Sequence, residues 1–191
     1  MENFKILKKF LQGKRENTLT KEETYMMHAL IASTNSNDPS TQVGACYVSE
    51  NGDLLSVGCN NNPKNWNEDE FPWGSDKKLA PKNTKYPYVI HAEMNGVTNY
   101  NGNVKDFNNS TLYVTLCPCI QCATLLTSVV VKRLVYLNVR KNNTDYICVK
   151  ILLSKCGIEC IDFKDISNLE GLELDTTKDE KNNIKIKTLT K

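Results

Sequence analysis

Apolar positions along the chain change period several times, and each change predicts an element. Phe4, Leu7, Phe10 and Leu11 fall at helical spacing within residues 1–19, which read as a short helical N-terminal extension. Thr20 followed by Glu23 fits a capping box, and Tyr25, Met26, Ala29, Leu30 and Ser33 carry the pattern on as an amphipathic helix. Turn residues and Pro39 close it within 35–40. Residues 43–48 and 54–59 are apolar and β-rich, and Asn51-Gly52 between them predicts a hairpin. Residues 60–87 contain Pro63, Pro72, Pro81 and Pro87 and predict a long loop, of the kind that is functional or mobile.

Beyond the loop, predicted helices at 91–100, 118–128 and 145–155 alternate with predicted strands at 111–115, 133–137 and 159–161. Strands joined through helices run parallel, because a crossover of that length returns to the same end of the sheet. The expectation is a three-layer α/β/α domain over residues 20–171, with a mixed five-stranded sheet whose last two strands are parallel. Residues 172–191, with five lysines and four acidic residues, read as a polar C-terminal tail.

Composition narrows the class. The 191 residues are 40% hydrophobic and 24% charged, a globular profile able to bury a core. A net charge of +2 does not favour a long polyanion as partner and leaves a small anionic ligand open. The lysine-punctuated start lacks the apolar run of a signal peptide, and no apolar stretch is long enough to cross a bilayer. Eight cysteines without a secretory signal predict reduced thiols in the cytoplasm, available to a metal, rather than a disulfide framework.

The chemistry sits in two short segments. His91-Ala92-Glu93 and Pro118-Cys119-Ile120-Gln121-Cys122 match the H-x-E and P-C-x-x-C signature of zinc deaminases. Cys119 and Cys122 lie three apart in what reads as the first turn of a helix, so both thiolates can face one ion. Pro118 suits a helix start, where a missing N–H costs nothing, and the positive end of the helix favours thiolate over thiol. With His91 as third ligand, a fourth tetrahedral position remains for water, the arrangement of a catalytic zinc. Glu93 then stands as the proton-moving carboxylate. A structural zinc would need more ligands; the other histidine, His28, lies beside Met27 on the first predicted helix, where packing is expected. Cys117 is either a spare ligand, a redox-labile thiol or a buried neutral cysteine. Cys46, Cys59, Cys148, Cys156 and Cys160 are expected to act as small apolar residues.

Residues 38–161 resemble the deoxycytidylate (dCMP) deaminase family. The resemblance is carried by Asp38-Pro39-Ser40-Thr41-Gln42-Val43-Gly44-Ala45-Cys46, Phe71-Pro72-Trp73, Lys85-Tyr86-Pro87-Tyr88-Val89-Ile90-His91 and Leu112-Tyr113-Val114-Thr115-Leu116-Cys117. It implies a cytidine-deaminase-like fold and the hydrolysis of dCMP to dUMP and ammonia, supplying thymidylate synthesis. It also implies one Zn²⁺ per chain, with Glu93 passing protons between water, N3 and the departing amino group. By the same resemblance, the Ala92 N–H and the Cys117 carbonyl hold the pyrimidine edge and Asn60 meets the sugar. A homo-oligomer, a hexamer in many members, with dCTP (accompanied by Mg²⁺) as activator and dTTP as inhibitor, is implied too.

Two departures are specific. Asn61 and Asn65 stand where the family has glycines, in a loop associated with effector binding, and asparagine tolerates left-handed backbone better than other non-glycine residues. Val139-Arg140-Lys141 replaces the family's Lys-Tyr-His after the 133–137 strand, which makes Arg140 and Lys141 the candidates to meet the phosphate. Two other classes share the core. A polynucleotide (RNA or single-stranded DNA) deaminase calls for a basic face with stacking aromatics, and no such cluster stands out. A silent regulatory subunit would not need Glu93.

Overall fold

A computed structural model describes residues 18–140 and 144–167, together with the backbone of 171–178 and 184–189. Most of the 1–19 extension, and Lys141, lie outside the described residues. Helix α1 (Lys21–Ser33) begins at the expected capping box: the Thr20 N–H donates to Glu23 Oε2 at 2.8 Å, and Thr20 Oγ1 accepts from the Glu23 N–H at 3.2 Å. Strands β1 (Gly44–Val48) and β2 (Leu54–Cys59) form the expected antiparallel hairpin, with Gly52 at φ 93° in the turn. After the long loop the order is α2 (Ala92–Thr98), β3 (Thr111–Leu116), α3 (Ile120–Ser128), β4 (Arg133–Asn138), α4 (Thr144–Lys155) and β5 (Glu159–Asp162).

The sheet order is β2-β1-β3-β4-β5, antiparallel on the hairpin side and parallel from β3 to β5. The expected parallel pairing of the last two strands is present, with Leu134 opposite Cys160 and Val135 opposite Ile161. Alternation along each strand builds the layers. Ala45, Tyr47, Leu112, Val114, Leu134 and Tyr136 face Ala92, Ala123, Leu126, Val149 and Leu153 of α2, α3 and α4. Cys46, Val48, Tyr113, Val135 and Leu137 face Met26, Ala29 and Leu30 of α1. That is the three-layer α/β/α arrangement read from the sequence.

Glycine sets how closely α2 approaches the sheet. A Cβ on Gly58 of β2 would lie 2.4 Å from the Ala92 carbonyl oxygen, and one on Gly96 would lie 2.6 Å from the Tyr47 ring. Both positions exclude a side chain, and their contact brings the first turn of α2 down onto the hairpin.

Residues 60–87 form an ordered excursion. Two 3₁₀ turns, Glu68–Glu70 and Pro81–Asn83, are strung on a row of aromatic rings. Trp66 packs against Phe71 and Tyr88 at 5.2 and 5.0 Å between centroids, and Phe71 against Trp73 at 4.5 Å. The segment read as a polar tail contains a strand pair, β6 (Gly171–Lys178) and β7 (Ile184–Leu189). Its antiparallel register sets Glu173 opposite Lys187 and Asp175 opposite Lys185, positions of opposite charge. Among the described residues, no helix is long and apolar enough to cross a membrane.

Candidate active site

The crossovers bring two helix starts to one end of the parallel strands, the edge at which open α/β sheets present their ligand sites. His91 is the N-cap of α2 and Cys119 the N-cap of α3, both with extended backbone at ψ 156° and 170°. Cys122 follows in the first turn of α3, while Pro118 is fully buried just ahead of the cap. His91 was expected to open its helix and Cys119 to lie in the first turn of the next; both occupy N-caps, where the backbone leaves the helix and a side chain can reach past the terminus. The same geometry lets Glu93, two residues after His91, share its site, which an i, i+2 pair inside a helix cannot do.

Ligand atoms of His91, Cys119 and Cys122 all lie within 4.8 Å of one another. His91 Nδ1 is 3.3 Å from Cys122 Sγ and 3.5 Å from Cys119 Sγ. In a zinc tetrahedron with Zn–N about 2.0 Å and Zn–S about 2.3 Å, nitrogen and sulfur ligands stand about 3.5 Å apart. The donor set fits a zinc ion in chemistry and in spacing, through Nδ1 of the histidine.

The protonation balance of the cluster follows from its contacts. A hydrogen bond from the Cys122 thiol, aided by His91 and the Cys122 backbone N–H, outweighs burial and holds the Cys119 thiol down to about 3. The same shared bond, together with burial, pushes Cys122 up. The hydrogen bond to Cys119 raises His91, assisted by the negative charge of Glu93 and opposed by burial. Both sulfurs ligate zinc as thiolates, so metal binding requires Cys122 to release its proton. Glu93 is only 3% exposed; burial raises its carboxyl above the ordinary range, opposed by its own backbone N–H and by His91. Cys117 is a buried neutral thiol, pushed up to about 12 by burial, and stands outside the three-residue metal cluster.

A cavity of about 680 Å³ opens onto Glu93, His91 and Cys119. Ala92, Cys117, Asn60 and Arg140 line it, so every described candidate joins one site. Ala92 occupies the first helical position, so its N–H is one of the helix's orphan donors. The side chain of Asn60 is engaged within the protein. Nδ2 donates to Asp38 Oδ2 at 3.1 Å and to the Thr41 carbonyl at 2.9 Å, while Oδ1 accepts from the Val43 N–H at 2.8 Å. Ser36 Oγ lies 2.8 Å from the same Oδ1. Asn60 thus braces the cavity wall, with both amide hydrogens engaged by neighbouring segments.

Two wall residues had no role in the sequence reading. Asp38 and Lys85 form an ion pair at 2.5 Å with side chains 3% and 8% exposed, and both line the cavity. Asp38 left a partial signal, since its Oδ1 accepts from the Ser40 and Thr41 N–H groups as an Asx turn. Lys85 left none beyond the strings shared with the family. Neither Asn61 nor Asn65 adopts positive φ, so the glycine replacements impose no left-handed strain. His28 bonds the Thr24 carbonyl of its own helix at 2.8 Å, away from the metal cluster. Cys148 and Cys156 are exposed rather than packed as small apolar residues.

The family model described as the cytidine and deoxycytidylate deaminase zinc-binding region matches residues 19–138. The chain is 35% identical over 151 residues to a probable deoxycytidylate deaminase of Drosophila melanogaster, covering 76% of this chain and 73% of the relative. It is 32% identical over 175 residues to the deoxycytidylate deaminase of Homo sapiens, covering 84% and 96%. The structure of the dCMP deaminase of cyanophage S-TIM5 in complex with dCMP and dUMP resembles it with a TM-score of 0.57 at 28% identity, covering 74% of this chain and 95% of that one. With both motifs converging on one cavity, the chain belongs to the cytidine and deoxycytidylate deaminase family.

Proposed function

We propose that this chain hydrolyses dCMP to dUMP and ammonia, with one zinc ion held by His91, Cys119 and Cys122 and with Glu93 moving the protons. The observation that carries the proposal is buried Glu93, two residues from His91, lining with His91 and Cys119 one cavity of about 680 Å³, a volume in the range of small-molecule sites. A zinc ion bound there supplies Lewis acidity that makes water nucleophilic near neutral pH. The Glu93 carboxylate accepts a proton from that water and delivers it to N3, which makes C4 electrophilic. After the water oxygen has bonded to C4, Glu93 takes up the remaining proton of that hydroxyl and passes it to the amino group as the C4–N bond breaks. One water enters, and its oxygen remains on C4 while ammonia leaves. A carboxyl raised by burial suits a group that must act as base and then as acid.

By the family resemblance, the Ala92 N–H and the Cys117 carbonyl hold the pyrimidine edge, and both residues line the cavity. Lys85 is occupied by Asp38, so among the described cavity-lining cations the phosphate falls to the exposed Arg140. Lys141, next in the chain, belongs to the same proposal without a structural account. Regulation by dCTP with Mg²⁺ and by dTTP rests on the family resemblance alone, as does supply of dUMP for thymidylate synthesis. Assembly into a homo-oligomer is supported by Ile147 and Ile151, four apart on α4 and 63% and 56% exposed. Eight unbridged thiols support a reducing compartment such as the cytoplasm. The test is ammonia release from dCMP, dCTP, deoxycytidine and single-stranded DNA, with and without dCTP and Mg²⁺. Fastest turnover of dCMP supports the reading, and preference for any other member of the panel overturns it.

A further inference from the structure

We infer that the buried Asp38–Lys85 ion pair is a positioning device that sets the substrate-side wall of the cavity, acting through Asn60 and the segment leading into His91. The inference rests on the deaminase reading of the same site. Five hydrogen bonds converge on the Asp38 carboxylate from three separate stretches of chain. Oδ1 accepts from the Ser40 N–H at 2.8 Å, the Thr41 N–H at 3.2 Å and Lys85 Nζ at 2.7 Å. Oδ2 accepts from Lys85 Nζ at 2.5 Å and Asn60 Nδ2 at 3.1 Å. Lys85 is anchored in turn by its backbone: its N–H donates to the Gly74 carbonyl at 3.0 Å, and its own carbonyl accepts from Val89 at 2.8 Å. One residue beyond Asn60, Asn61 pairs with Ile90 in an isolated bridge, N–H to carbonyl at 3.0 and 2.9 Å in the two directions. His91 follows directly. The carboxylate therefore ties the 38–41 turn, the end of β2 and the approach to the first metal ligand into one rigid unit.

The choice of an ion pair is itself informative. A buried pair gains little stability over apolar side chains of the same volume, because both charges lose their water. Directed bonds give something apolar packing does not, a fixed register between segments 47 residues apart in sequence. Asp38, Ser40, Thr41, Asn60 and Lys85 all face the cavity, so the register they fix is that of the surface the substrate meets.

No hydrogen bond of the Asp38–Lys85 pair reaches His91, Cys119 or Cys122, so its loss should act on substrate binding more than on chemistry. Lys85→Met should raise KM for dCMP at least tenfold while zinc content is kept and kcat changes less than threefold. Asp38→Asn retains an acceptor for the Ser40 and Thr41 N–H groups but turns an amide donor toward Lys85 and Asn60, so it should give a similar rise. Because each acts through the other, Lys85→Met added to Asp38→Asn should worsen KM by less than a further threefold. Unchanged KM in folded Lys85→Met, or multiplying effects in the double variant, overturns the inference. Hydrogen exchange on the unaltered protein gives a readout that does not depend on variants folding. Saturating dUMP should slow amide exchange in residues 38–43 and 85–90 together, and exchange unaffected in either segment overturns the inference. Failure of the unaltered protein to deaminate dCMP would sink the deaminase reading instead.

Discussion

The Tyr47 hydroxyl on β1 donates a 3.0 Å hydrogen bond to the main-chain carbonyl of Glu93 in α2. Tyr47 is fully buried and packs edge-on against Phe107 with centroids 4.9 Å apart. Burial, aided by the neighbouring Glu93, raises its phenol well above its ordinary range, which favours the protonated, donating hydroxyl. The central sheet thus fixes the backbone of the proposed proton carrier directly. Tyr47→Phe keeps the ring and removes only this bond, which should cost about 1 kcal/mol. That predicts a melting temperature lower by roughly 2–4 °C, with a severalfold fall in kcat. Melting and turnover equal to the parent would remove Tyr47 from the account.

Helix α3 ends on Val130 at φ 58°, a left-handed conformation that crowds a β-branched side chain. The Val131 N–H bonds the Leu126 carbonyl at 3.1 Å and the Val130 N–H bonds Thr127 at 3.4 Å, the pattern of a Schellman cap. Helix α4 ends in the same pattern with Gly157 at φ 73°. Val130 is 53% exposed, so little packing is lost on truncation. Val130→Gly should stabilise the fold by about 1 kcal/mol, since left-handed strain of that order is relieved. Thermal or urea melting that shows destabilisation would mean the Val130 side chain packs more than its exposure indicates.

How much of this was legible in the sequence depended on how local each signal is. The capping box, the Asn-Gly hairpin and the helical crossovers are set by residues a few positions apart, and all appear where expected. The convergence of His91, Cys119 and Cys122 was legible because they sit in two short motifs at helix starts. Asp38 and Lys85 are 47 residues apart and meet only once the long loop folds over the site. The four partners of the Asn60 side chain lie 17 to 24 residues away, so no local pattern marks them. The exposure of Cys148 was hidden because residues 146–153 of α4 are apolar nearly all round, so no pattern marks which side is covered. In the tail, Ile184-Lys185-Ile186-Lys187 does alternate with the period of a strand, but charge outweighed that signal.

The phosphate assignment predicts a preference. Charge-assisted bonds to a phosphate contribute roughly 1.5–3 kcal/mol each, and a tenfold preference requires only about 1.4 kcal/mol. The parent should favour dCMP over deoxycytidine by at least about tenfold in kcat/KM, and Arg140→Gln should erase most of that margin while leaving deoxycytidine turnover unchanged. An equal loss on both substrates in steady-state kinetics would show that Arg140 does not read the phosphate.

The central claim is that Glu93 moves protons beside a zinc ion it does not ligate. The most direct measurement is Glu93→Gln, assayed for zinc and for ammonia release from dCMP. Glutamine matches the carboxylate in shape but cannot accept and return a proton. The account predicts one zinc per chain in both proteins, an unchanged fold, and turnover lower by about 10²–10⁴-fold in the variant. Turnover near the parental rate with zinc in place would contradict it, because another residue would then be moving the protons.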